Sequence, residues 1–64
     1  MTVKEIEKRI NKFENLGGMT VNERLYMTGL FNEFDNSCKH DKEKAKIILK
    51  LLGVDQNSID EIVT

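Results

Sequence analysis

Apolar residues recur along this chain at steps of three and four, and no segment alternates at a step of two. Successive strand residues point to opposite faces, so a half-buried strand needs alternation. A helix instead needs a stripe at three- and four-residue spacing. That single pattern predicts an all-α fold with no sheet.

The stripes define the expected elements. Thr2 with Glu5 makes a capping box, in which hydroxyl and carboxylate each satisfy a free backbone N–H. Val3, Ile6, Ile10, Phe13 and Leu16 then follow on one face of a helix of about four turns, with Glu5 and Arg9 placed for an i,i+4 ion pair. Gly17-Gly18 is read as its stop, since glycine takes the left-handed C′ position without a Cβ clash. Thr20 with Glu23 repeats the box, preceded by Met19, which is expected to pack on Leu25.

A second helix is predicted from Val21 to about Asn36. Val21, Leu25, Tyr26, Met27, Leu30, Phe31 and Phe34 cover more than one stripe of it, which marks a central helix with neighbours on two sides. Gly29 within it costs about 1 kcal/mol relative to Ala, and close approach by another helix backbone is the expected reason. Asn36 to His40 reads as a loop or frayed end. Asp41 caps a third helix with Ala45, Ile48, Leu49 and Leu52 on one stripe, closed by Gly53 at C′ and Val54 after it. Asp55 or Asn57 caps a short fourth helix holding Ile59, Ile62 and Val63. The expectation is a small bundle of three main helices plus a short C-terminal fourth helix, one domain over residues 1–64.

Such a chain buries only about 60% of its unfolded surface, so it is marginal. Either its helices are locally well encoded or a partner shares its apolar surface. Its single Cys cannot form an internal disulfide, which fits a reducing compartment and a cytoplasmic location. Its longest apolar run, Ile47-Ile48-Leu49, is far short of the roughly 20 residues that span a bilayer. The amphipathic N-terminus lacks the apolar core of a signal peptide.

Catalytic chemistry finds little to work with. Cys38 and His40, at i,i+2, cannot face each other on a helix, and no third residue is fixed beside them. They read as a small partly buried hydrophobe and an exposed imidazole. Cys38 and His40 offer at most two zinc ligands where a structural site wants four. Residues 35–46 fail as a calcium loop, with His40 at the sixth position and Lys46 at the twelfth. Gly17-Gly18 follows a helix rather than a strand, so it is no phosphate cradle. The reading is a non-enzyme with no cofactor and no metal.

The charges total 10 Lys and Arg against 11 Asp and Glu, but they are segregated. Lys39, Lys42, Lys44, Lys46 and Lys50 stand against only Asp41 and Glu43, whereas the last fourteen residues carry only acids, Asp55, Asp60 and Glu61. Such a lysine run reads as a solvated face. Base recognition would call for Arg, Asn or Gln at a helix start or for exposed aromatics, and the two Arg and four aromatics do not supply it. A nucleic-acid regulator using Lys39, Lys42, Lys46 and Lys50 stays as the alternative.

Protein–protein contact remains. Tyr26 falls either at an interface, where it offers rigid area and a polar tip, or in the core with a bonded hydroxyl. Met1, Met19 and Met27 add adaptable apolar surface. Glu33, Asp35, Asp41, Asp60 and Glu61 suit a basic partner. The contact candidates are Tyr26, Glu33, Asp35, Asp60 and Glu61. The string Gly17-Gly18-Met19-Thr20-Val21-Asn22-Glu23-Arg24-Leu25-Tyr26, continued by Gly29-Leu30 and Glu33-Phe34-Asp35, resembles a group of short bacterial proteins with this core, a Lys/Glu-rich helix, a Leu-Gly-hydrophobic turn and an acidic C-terminal helix. The resemblance covers most of the chain and carries over no catalytic residue. It implies a toxin–immunity setting, in which the partner is a toxin and this chain its immunity or antitoxin-like inhibitor. A homodimer sharing the apolar arc of the second helix is a further expectation.

Overall fold

Both capping boxes close. In the computed structural model, which describes residues 1–64, Thr2 Oγ1 accepts from the Glu5 amide at 3.2 Å and the Glu5 carboxylate accepts from the Thr2 amide at 2.8 Å. Thr20 and Glu23 repeat the arrangement at 3.2 and 2.9 Å. Asp41 accepts from the Lys44 amide, and Asp55 from the Ser58 amide and hydroxyl. These local signals start four of the five α-helices: α1 (Val3–Ile10), α2 (Val21–Thr28), α4 (Lys42–Leu51) and α5 (Gln56–Ile62). The remaining helix, α3 (Phe31–His40), has no side-chain cap. No strand is present, so the fold is all-helical.

The helix boundaries depart from expectation in three places. First, α1 ends at Ile10 rather than running to Leu16. The amides of Lys12 and Phe13 turn back to the carbonyls of Arg9 and Ile10, and Asn15 takes a left-handed φ of 64°. Leu16–Gly18 is a separate 3-10 turn in which neither glycine needs a positive φ, so Gly17-Gly18 is not a helix stop. Arg9 does not pair with Glu5. Its Nη1 reaches the Gly29 carbonyl at 3.4 Å, while Glu5 is committed to the Thr2 cap.

Second, the expected helix from Val21 to Asn36 is two helices. Gly29, at φ 71°, ends α2. The amide of Leu30 returns to the Leu25 carbonyl at 2.9 Å and that of Gly29 to Tyr26 at 3.1 Å, the paired bonds of a Schellman end. Positive φ, not close approach by a helix backbone, is therefore what Gly29 supplies: the nearest atom to a Cβ there would be the Arg9 guanidinium, at an ordinary 3.5 Å. Third, Asn36 to His40 is helical, not a loop. These residues complete α3, and Ser37 is buried with its hydroxyl donating to the Glu33 carbonyl at 2.8 Å.

The end of α4 follows the sequence. Gly53 has φ 86°, its amide returns to Lys50, and the Val54 amide returns to Leu49. The ten-residue core joins Ile6, Ile10, Leu25, Leu30, Ala45, Ile48, Leu49, Leu52, Ile59 and Val63. It draws on all helices but α3, whose Phe31, Phe34 and Cys38 pack against it from the side. Ile62, grouped with the α5 stripe by the sequence, is exposed. The radius of gyration is 10.6 Å, matching about 10.7 Å for a folded chain of this length. No helix is long and apolar enough to cross a membrane.

Arg24 ties two chain reversals, the loop before α2 and the turn after α4, to each other. Its Nε donates to the Met19 carbonyl at 3.1 Å, Nη2 to Gly17 at 3.2 Å and Nη1 to Leu52 at 2.9 Å. The fork geometry of a guanidinium suits three divergent acceptors, which an ammonium cannot reach together.

Candidate functional site

Tyr26 lies on the exposed side of α2, 70% accessible, so it is no core tyrosine. Phe31, at the start of α3, stacks on it with ring centroids 4.8 Å apart and planes 16° from parallel. The break at Gly29 makes this possible: it lets α3 turn back, so that Phe31 meets Tyr26. Met27, one of the apolar residues of the expected central helix, is 52% exposed beside it. The physical reason is register. Leu25 and Thr28 take the buried face of this short helix, so Tyr26 and Met27 between them must face out.

Met19, Glu23, Tyr26 and Met27 line a shallow open concavity of about 470 Å³. Glu23 stands three residues before Tyr26 and four before Met27, the spacing that places all three on one helix face. Met19 enters from the preceding loop, which Arg24 holds through the Met19 carbonyl. Met19 thus borders this surface rather than being buried as a core residue. The Glu23 carboxyl is held below its ordinary value by the Thr20 amide and then the Thr20 hydroxyl, so it is ionised at neutral pH.

The other acidic candidates are dispersed. Glu33 is half-buried under an ion group: its Oε1 meets Lys44 Nζ at 2.8 Å and the Met1 ammonium at 3.1 Å. Lys44 also donates to the Met1 carbonyl. The Lys44 hydrogen bond, then that of the Met1 ammonium, lowers the Glu33 carboxyl. Asp35 is exposed and pairs with Lys39 at 3.2 Å along α3. Asp60 accepts from Gln56 at 3.0 Å on α5, and Glu61 is exposed next to it. No hydrogen bond or ion pair links these acids to Tyr26.

Cys38 is partly buried. Burial pushes its thiol up, the Asp35 charge adds to this, and Lys42 opposes it. A thiol held protonated is a poor nucleophile. His40 is exposed and no hydrogen bond joins the two. No three of the Asp, Glu, Cys and His side chains lie close enough to share a metal ion. On α4 and α5 a second, smaller groove of about 200 Å³ is lined by Glu43, Lys46, Ile47, Lys50, Gln56 and Ile59.

Sequence reasoning singled out Tyr26 but read Glu23 only as a cap and Phe31 only as core. The i, i+3, i+4 spacing of Glu23, Tyr26 and Met27 was the available signal for a shared face. No protein-family model matches the chain, and no curated protein or solved structure gives a significant match.

Proposed function

We propose that this chain is a non-catalytic protein that works in the cytoplasm by binding another protein, and that its concrete role is that of an immunity or antitoxin-like inhibitor of a bacterial toxin. The carrying observation is Tyr26, left 70% exposed yet fixed against Phe31, with Met27 and Met19 beside it. An aromatic side chain on a folded surface, ringed by apolar neighbours, is the kind of group that anchors protein interfaces. The ten-residue core does not include it. The resemblance of the Gly17–Tyr26 string to short bacterial proteins supplies the toxin context. Glu33, Asp35, Asp60 and Glu61 serve as flanking charges that speed encounter with a basic partner.

A pull-down from the native host with tagged wild-type chain tests this. The expected result is a protein partner recovered by wild type and lost with Tyr26→Ala, toxic when expressed alone and harmless when coexpressed with wild type. Recovery of no partner while the circular dichroism spectrum shows the fold intact overturns the reading.

A second reading is a homodimer through the exposed apolar residues Tyr26 and Met27, with the Glu23 carboxylate beside them counting against it. Sedimentation giving a monomer at high micromolar concentration removes that one. Nucleic acid is less well supported. Lys44 is taken by Glu33 and Lys39 by Asp35, Lys46 and Lys50 share their groove with Glu43, and the exposed Tyr26 stands beside an acid.

A further inference from the structure

The surface around Tyr26 has a composition that selects among partners. Three of its four lining residues, Met19, Tyr26 and Met27, are apolar, and the fourth is the carboxylate of Glu23. One face of the Tyr26 ring is covered by Phe31, and the high exposure of the residue leaves the other open. The Glu23 carboxylate is bonded only within its own capping box, through Thr20, and no side chain from another helix reaches it. A charge, an open aromatic face and flexible thioethers therefore meet in one shallow depression.

Resting on the protein-binding reading above, we infer that this concavity takes a basic side chain, a lysine or arginine, presented by the partner protein. Such a side chain satisfies each wall at once. Its alkyl stem lies along Met19 and Met27, as long cationic side chains bury their stems on apolar surface. Its cationic head reaches the Glu23 carboxylate and the open face of Tyr26, combining an ion pair with a cation–π contact. An acidic side chain would meet the Glu23 charge, and a purely apolar one would desolvate that carboxylate with nothing in return. A second copy docking the same patch face to face would bring Glu23 against Glu23, which opposes an isologous dimer here.

The test uses the full chain, ¹⁵N-labelled, titrated with two peptides of equal length, one alternating Leu and Lys and the other Leu and Glu. The expected result is saturable amide shifts centred on Met19, Glu23, Tyr26 and Met27 with the lysine peptide only. Glu23→Gln should weaken that binding about fivefold without unfolding the chain, because Gln at this position can still accept from the Thr20 amide and complete the box. Glu7→Gln, at an exposed position of α1 whose side chain makes no hydrogen bond or ion pair, should leave it unchanged. Equal binding of both peptides, or shifts spread over Asp35, Asp60 and Glu61 and insensitive to Glu23→Gln, overturns the inference. So does a response of these amides to phosphatidylcholine vesicles or to protein concentration alone, without the peptide. A captured native partner separates the two levels. If Tyr26→Ala abolishes its binding and Glu23→Gln does not, the docking surface stands and the basic side chain falls. If neither variant matters, both fall.

Discussion

The guanidinium of Arg24 reaches across the fold to Leu52, donating from Nη1 at 2.9 Å to the carbonyl that follows α4. Twenty-eight residues of chain separate the two. The same group holds Gly17 and Met19, so one side chain anchors the loop before α2 and the turn after α4. Removing it leaves partly buried carbonyls unpaired. Arg24→Ala is expected to lower the unfolding free energy by about 2 kcal/mol, the scale for hydrogen bonds from a charged donor. Arg24→Lys should recover little of that, since an ammonium cannot span three divergent acceptors. Urea denaturation of the two variants decides it, and a lysine variant equal to wild type would refute the fork argument.

Glycine substitutions should separate sharply by backbone angle. Gly29→Ala places a Cβ at φ 71°, where the left-handed region costs about 1–2 kcal/mol. Gly17→Ala meets nothing within 4 Å and needs no positive φ, so it should change stability by no more than about 0.5 kcal/mol. Thermal melts of both give the comparison. Equal melting points would mean that α2 does not end as described.

Tyr26 and Leu30 lie four residues apart with opposite expected effects. Leu30 is fully buried, so Leu30→Ala should cost about 2–5 kcal/mol, enough to unfold much of so small a chain. Tyr26→Ala removes an exposed ring and its stack on Phe31, at about 1 kcal/mol or less. Denaturation curves should show the first variant crippled and the second nearly native. A large loss for Tyr26→Ala would make that ring a packing element instead of a contact.

Stability should fall in acid. Four carboxyls lie below their ordinary values: Glu5 and Glu23 through the Thr2 and Thr20 amides and hydroxyls, Asp55 through Ser58, and Glu33 through Lys44 and then the Met1 ammonium. A carboxyl depressed in the folded state contributes stability that is fully present above its unfolded value, 4.5 for Glu, and lost as pH falls through the folded one. The denaturation midpoint should therefore be flat from neutral pH down to about 5 and drop below that. Glu33→Gln should shallow the drop. At the alkaline end the raised Cys38 thiol acts oppositely: its contribution is present below its unfolded value of 9.0 and lost as pH rises from there through the folded one. A midpoint that rises on acidification would contradict the carboxyl assignments.

What the sequence disclosed was what acts over three or four residues. Thr2, Thr20, Asp41 and Asp55 announce their helices because a cap is a contact between near neighbours. Gly53 with Val54 announces the end of α4 for the same reason. Gly29 was misread because the apolar residues around it continue with helical spacing. The clue lay in Leu25 and Leu30. Five residues apart on one helix they would diverge by about 140°, yet both are buried, which a break between them permits. The wide apolar arc was two narrower stripes on two helices. Asn36–His40 is polar enough to look like a loop, but it continues α3, which packs on α4. Arg24 could not have been found, because its acceptors are backbone carbonyls, which carry no residue identity.

Of the candidate surface, Tyr26 was legible as an aromatic fit for an interface or the core, and Met27 shares its exposure. The Phe31 stack depends on the turn at Gly29 and was hidden with it.

That stack has a consequence for encounter. An aromatic side chain normally surrenders rotational freedom when it is captured, and the surrendered entropy opposes association. Here Phe31 has already confined the Tyr26 ring in the unbound chain. The penalty is met during folding, so recognition on this face resembles a key meeting a lock already set.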